Sequence, residues 1–223
     1  MKRYRLILAD PPWRYRASRV NGAAEKHYPT LSTERLCSLS IPDLVERDAV
    51  LLLWATWPLL PEAHNVMRSW GFTYKTGFPW IKIVGEPQRT LFYQGISFKS
   101  VYGIGWWVRG ASELVLIGTR GKVKAPKRGF VGLLSPNFRH SKKPCDIYEY
   151  AESFPGPRLE LFARGTARPG WDVFGNEAEG SIELPDPELT KPVTSRHGGL
   201  CLTLVPRGRA SGQYSKVSWA RFL

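Results

Sequence analysis

The run Leu6-Ile7-Leu8-Ala9, closed at once by Asp10-Pro11-Pro12, constrains this chain more than any other feature. A short, continuous apolar run fits a strand covered on both faces, as in a parallel sheet. Neither proline has an N–H to extend a ladder, so the strand must stop there. Asp10 is then left at its carboxyl end, and parallel α/β sheets bind their ligands beyond the carboxyl ends of strands.

The rest of the chain repeats the pattern. Ala49–Ala55 reads as a second buried strand, Phe72–Val84 as a third with a kink at Pro79, Glu113–Gly118 as a fourth and Arg158–Phe162 as a fifth. Helices are expected from Ser32-Thr33-Glu34 onward, over Glu62–Trp70 with Gly71 as a stop, and over Pro144–Phe154 with proline in the first turn. Alternating strands and helices predict an α/β fold with a mainly parallel sheet flanked by helices. Residues 14–30, Gly85–Trp107 and Arg120–Lys143 read as loops. After about Gly180 a proline-acid linker begins, so the expected division is a domain over 1–180 and a basic, partly disordered tail over 181–223.

Composition narrows the classes. The chain has 223 residues, 43% of them hydrophobic, which suits one large core. No apolar run nears the roughly 18 residues of a membrane span, and no signal-peptide core follows Met1. Cys37, Cys145 and Cys201 form neither a CxxC pair nor a zinc pattern, so no metal site is expected. A reduced, cytoplasmic setting is expected. The net charge of +13 favours a polyanionic partner. It is concentrated: between Pro87 and Cys145 the one acid is Glu113, against eleven Lys or Arg, with Phe92, Tyr93, Phe98, Tyr102, Trp106 and Trp107 among them. Cations grip phosphates and aromatics stack on exposed bases, which points to a polynucleotide.

Asp10-Pro11-Pro12-Trp13 carries the chemistry. A carboxylate and proline carbonyls are acceptors only, and a ring follows them. Such a set suits a planar group bearing an NH2, such as the edge of adenine. Two acceptors on the amine hydrogens would favour the geometry for attack on an electrophilic carbon. The bland alternative is a turn after a strand, with Trp13 packed beneath it.

Asp10-Pro11-Pro12-Trp13 resembles the catalytic tetrapeptide of the MT-A70 family of adenine-N6 methyltransferases. The similarity runs from about Tyr4 to Glu177, through His27–Ser32, Leu51–Thr56, Trp107–Glu113, Ile117–Gly121, Ser141–Pro144 with Asp146-Ile147-Tyr148, Arg158–Arg164 and Gly175–Glu177. It implies a Rossmann-like class I S-adenosylmethionine-dependent methyltransferase with a permuted motif order, the catalytic loop preceding the cofactor strand.

By the same resemblance Asp10, Pro11, Pro12 and Trp13 would be catalytic, with Trp13 holding the target ring. Ala9, Asp10, Pro11, Lys143, Phe162, Arg164, Asn176 and Glu177 would hold S-adenosylmethionine. The carboxylate of Glu177 also suits a ribose diol on its own chemistry. Tyr28 and Trp107 would sandwich the base, with Glu113, Lys124, Lys127 and Arg128 as further substrate contacts. The loop Gly165–Gly170 lacks the His-Asn pair of the eukaryotic relative. The implied reaction is methyl transfer to the N6 amine of adenine, in DNA rather than RNA, since the short form resembles the bacterial and phage enzymes. The alternatives are an RNA adenosine methyltransferase or an inactive nucleic-acid-binding subunit. A homodimer, or a heterodimer with a related subunit, is compatible with the resemblance.

Overall fold

A computed structural model of the chain describes residues 2–15, 30–89, 96–100, 107–126, 132–136, 143–175, 177–180 and 182–184. The run that opens the chain forms β1 (Tyr4–Ala9), at the heart of the sheet. β1 pairs in parallel with β2 (Val45–Ala55) on one side and with β7 (Arg158–Leu161) on the other, and β7 pairs in parallel with β9 (Trp171–Phe174). Beyond β2 the direction alternates. β5 (Ser112–Arg120) runs antiparallel between β2 and β3 (Thr73–Arg89), and β4 (Ile96–Ser100) runs antiparallel along the far part of β3. β6 (Leu133–Pro136) adds in parallel to β3. The path is β4-β3-β5-β2-β1-β7-β9, and β8 (Arg164–Thr166) with β10 (Glu177–Glu179) makes a separate parallel pair.

The helices divide between the two faces. α1 (Thr33–Cys37), α2 (Ile41–Leu44) and α3 (Leu60–Ser69) put Leu36, Ile41, Leu44, Ala63, Val66 and Met67 into one cluster with Tyr4, Ile7, Ala9, Leu51 and Leu53. α4 (Asp146–Glu152) puts Ile147 and Ala151 into the other, with Leu6, Leu8, Val50, Leu52, Trp54 and Trp80. Successive side chains of a strand point to opposite faces, so a strand covered on both must be apolar throughout. That is why β1 and β2 read as unbroken runs. The connection from β1 to β2 lies on the first face and α4, which precedes β7, on the second. The gap between β1 and β7 is therefore the point where the winding reverses, the place where doubly wound sheets bind ligands.

Several expectations change. Gly85–Trp107 is not wholly a loop: β3 continues to Arg89, and the chain returns as β4, so part of the stretch is a hairpin. Arg120–Lys143 contains β6, whose four residues are too short to show a period. β2 begins at Val45, ahead of the apolar run, because Tyr4 pairs with Val45 before a register shift. Ile182 and Leu184, within the stretch read as tail, lie on the domain: the Ile182 N–H donates to the Val173 carbonyl at 2.8 Å, and Leu184 is buried in the first cluster. Residues 185–223 lie outside the described residues.

Candidate active site

The tetrapeptide folds as its prolines dictate. The Asp10 N–H still reaches the Leu161 carbonyl of β7 at 3.3 Å, and pairing then stops. The Trp13 N–H turns back onto the Pro11 carbonyl at 2.8 Å, and the Leu31 N–H donates to the Pro12 carbonyl at 2.8 Å. Both proline carbonyls thus have a backbone donor, each keeping a second lone pair. The indole N–H of Trp13 donates to the Trp54 carbonyl at 3.1 Å, and its side chain is 6% exposed. Trp13 is therefore a wedge that pins the loop to β2, and its ring is packed in the core rather than open to a base. This corrects the expectation that it holds the target ring.

Asp10 does not stand alone. Its Oδ1 lies 3.0 Å from Lys143 Nζ, which is also 3.1 Å from Glu113 Oε2. Glu113 Oε1 in turn accepts from Lys82 Nζ at 2.5 Å. Two carboxylates and two ammonium groups thus alternate in a line, brought from the ends of β1 and β5, from β3 and from the start of the α4 segment. Lys143 lies 5.1 Å from the ring centroid of Trp54 and Lys82 lies 4.9 Å from that of Trp80, and the two rings meet edge to face. Burial pushes the Asp10 carboxyl above its usual range, against the pull of Lys143; Glu113 adds to the rise and Arg164 opposes it. Burial works the same way on Glu113, but Lys143 and Lys82 outweigh it and hold that carboxyl low. Burial alone would lower the Lys143 ammonium, and its two carboxylate partners instead raise it.

Across the reversal point, Phe162 ends β7 in the left-handed region at φ 64, a conformation that non-glycine residues hold only where the surroundings impose it. Its ring packs 6.4 Å from that of Phe174. The Ala163 N–H donates to the Phe174 carbonyl at 2.9 Å, and a Cβ on Gly175 would lie 2.1 Å from the Ala163 carbonyl oxygen. Glycine is required where these two strand ends close together. Arg164 and Glu177, on β8 and β10, make a loose ion pair at 3.9 Å with both side chains largely exposed.

These residues fit S-adenosylmethionine by donor set. An amino-acid end needs a cation for its carboxylate and acceptors for its ammonium, and Lys143, Asp10 and the Pro11 carbonyl lie together. A ribose diol suits the exposed carboxylate of Glu177. Gly165, at φ 78 with open space where its Cβ would stand, leaves backbone accessible between the two ends. Ala9 is fully buried and has only its backbone to offer.

Of the expected substrate contacts, Glu113 joins Asp10. Trp107 is 99% exposed in the segment leading into β5. Lys124 is elsewhere: it follows Arg120, which pairs with Ala49 at the amino edge of the parallel strands, whereas Asp10 leaves the carboxyl edge. Tyr28, Lys127, Arg128 and Asn176 lie outside the described residues. Lys82 was not expected. Its signal was a lysine inside the apolar and aromatic run Phe78-Pro79-Trp80-Ile81-Lys82-Ile83-Val84, which is unfavourable unless the charge is paired. Glu160 is a second such group: it accepts from the Tyr148 hydroxyl at 3.0 and 2.9 Å, and burial raises its carboxyl.

The MT-A70 family profile matches residues 4–177. The chain is 31% identical over 216 residues to the type II methyltransferase M.MunI of Mycoplasma sp, covering 86% of this chain and 82% of that protein. It is 26% identical over 191 residues to the N6-methyladenosine RNA methyltransferase MTA1 of Pyricularia oryzae, covering 78% of this chain and 46% of that one. It is 26% identical over 199 residues to the N(6)-adenine-specific methyltransferase METTL4 of Mus musculus, covering 79% and 38%. The chain spans less than half the length of these last two.

Proposed function

The chain belongs to the MT-A70 family and is a methyltransferase, and from that premise we propose that it methylates the N6 amine of adenine in DNA, with S-adenosylmethionine as donor. The observation that carries this reading is the Asp10 carboxylate at the sheet's reversal point, held 3.0 Å from Lys143. The amine nitrogen of adenine is a weak nucleophile because its lone pair is delocalised into the ring. Asp10 and the free lone pair of the Pro12 carbonyl accept its two hydrogens, which favours a lone pair directed out of the ring plane. Lys143 favours the ionised form of Asp10 against the opposing effect of burial, and Glu113, itself paired with Lys82, holds Lys143 in place. S-adenosylmethionine, when bound, supplies an electrophilic methyl carbon. Lys143, Asp10 and the Pro11 carbonyl hold its amino-acid end, and Arg164, Glu177, Phe162 and Asn176 its nucleoside end.

DNA is favoured because the short form resembles the bacterial and phage enzymes of the family. RNA is the second reading, because the MTA1 relative is named an RNA methyltransferase. The test is mass spectrometry of nucleosides after incubating DNA and RNA separately with the protein and S-adenosylmethionine. N6-methyldeoxyadenosine in the DNA arm is expected. Product in RNA alone would transfer the reading to RNA. Cofactor binding by calorimetry with no product in either arm would leave an inactive binding subunit.

A further inference from the structure

The β2 strand ends at Ala55, and residues Trp57–Leu59 make a single 3-10 turn at its carboxyl end. Trp57 in that turn is 53% exposed, although its one polar atom is already satisfied: the indole N–H donates to Ser112 Oγ at 3.0 Å. A tryptophan whose N–H has a protein partner gains nothing polar from solvent, and its ring fills no core. The hydrogen bond fixes the orientation of a large apolar surface that stays open.

Its surroundings join it to the reaction centre from both sides. On one side, Thr56 Oγ1 and the Tyr15 hydroxyl are 2.8 Å apart, so the residue before Trp57 is tied to the loop that begins at Asp10. On the other, Ser112 directly precedes Glu113, the partner of Lys143. The segment leading into Ser112 exposes Trp107 and Val108 as well, followed by Arg109. Exposed aromatic and apolar side chains with a cation in the same segment are poorly matched to water and well matched to a single nucleic-acid strand, whose bases offer flat faces and whose backbone offers phosphates. Chemistry at an adenine amine also requires the base to be unstacked from its neighbours, which leaves a neighbouring base without its partner.

We propose that Trp57, oriented by Ser112, is the stacking platform for a base adjacent to the target adenine. It compensates that base for the stacking lost when the adenine leaves, and so positions the strand without touching the reacting atoms. The proposal rests on the reading of the protein as an adenine methyltransferase acting on a polynucleotide.

The experiment uses the full chain with S-adenosylmethionine and a fluorescein-labelled single-stranded oligodeoxynucleotide carrying one adenine between pyrimidines. W57A should raise the oligonucleotide KM and the Kd by anisotropy roughly tenfold, the scale of one lost base-aromatic stack. Cofactor affinity by calorimetry and kcat at saturating oligonucleotide should hold. W57F should recover most of the loss, and S112A, which frees the indole, should fall between. Replacing the bases flanking the adenine with abasic sites should abolish the difference between the wild type and W57A. An unchanged KM in W57A, or a W57A defect that persists with abasic flanks, would overturn the proposal. A fall in cofactor affinity with KM intact would also overturn it, since Trp57 would then be structural. If W57A does not fold, S112A and W57F decide by the same KM and abasic comparisons. Should the wild type methylate no polynucleotide, the functional reading fails instead, and the anisotropy arm still tests Trp57.

Discussion

Lys143 Nζ lies 3.0 Å from Asp10 Oδ1 and 3.1 Å from Glu113 Oε2, so one ammonium serves the candidate catalytic carboxylate and a second, deeper one. The two acids respond in opposite directions. Asp10 has Lys143 as its near cation and stays above its ordinary range, while Glu113 has Lys82 as well and falls below its own. The acid kept easier to protonate is the one placed at the reversal point of the sheet.

D10A should lower methyl transfer by about 10²–10³, the usual effect of removing one well-placed acceptor. The protein should stay folded by circular dichroism. A folded mutant that retains more than about a tenth of the wild-type rate would remove Asp10 from the mechanism.

The acid limb of the pH–rate profile should follow Asp10, since the carboxylate is a far stronger acceptor of an amine hydrogen than the neutral acid. Activity then rises as pH rises through its elevated pKa. Lys143 favours the carboxylate, so K143M should push that limb to higher pH. Profiles of kcat/KM for the polynucleotide check this, and a limb that stays in place in K143M would mean another group titrates.

Glu113 is mostly buried between two cations, and removing it leaves both without their shared anion. E113A should cost about 3 kcal/mol of stability by urea denaturation. Because the Glu113 carboxyl is lowered in the folded state, its contribution is present above the ordinary glutamate range and lost as pH falls through the lowered value. The deficit of E113A should therefore be full at neutral pH and shrink in strong acid.

Trp13 should act through stability. W13A should cost about 3–5 kcal/mol, as for large aromatic truncations in a core. W13F should cost about 1–2 kcal/mol, because it leaves the Trp54 carbonyl without its donor. A W13F variant of unchanged stability but raised polynucleotide KM would restore the ring-holding role.

Arg109 and Lys124 separate the two edges of the sheet. If the strand crosses the carboxyl edge, R109E should flatten the plot of log affinity against log salt by about 0.7–0.9 per lost phosphate contact. K124E, beyond Arg120 at the other edge, should leave the slope unchanged. The reverse result would place the polynucleotide across the amino edge.

The sequence by itself determined the end of β1 and what stands there. An apolar run stopped by two prolines is a local instruction, and no packing can give Pro11 or Pro12 an N–H. For the same reason the strands β1, β2, β5 and β7 and the helices α3 and α4 were legible, whereas β4 and β6 gained their form from long-range pairing with β3. Only the tertiary structure decided which polar groups meet. Lys82, Glu113 and Lys143 belong to segments whose adjacency follows from the order in which strands pair, and their charges are tolerable only because that order places opposite signs within reach. It also divided the tryptophans. Trp13, Trp54 and Trp80 are buried while Trp57 and Trp107 are exposed. Nothing in an indole specifies which it will be, because burial depends on what the rest of the chain brings to cover it.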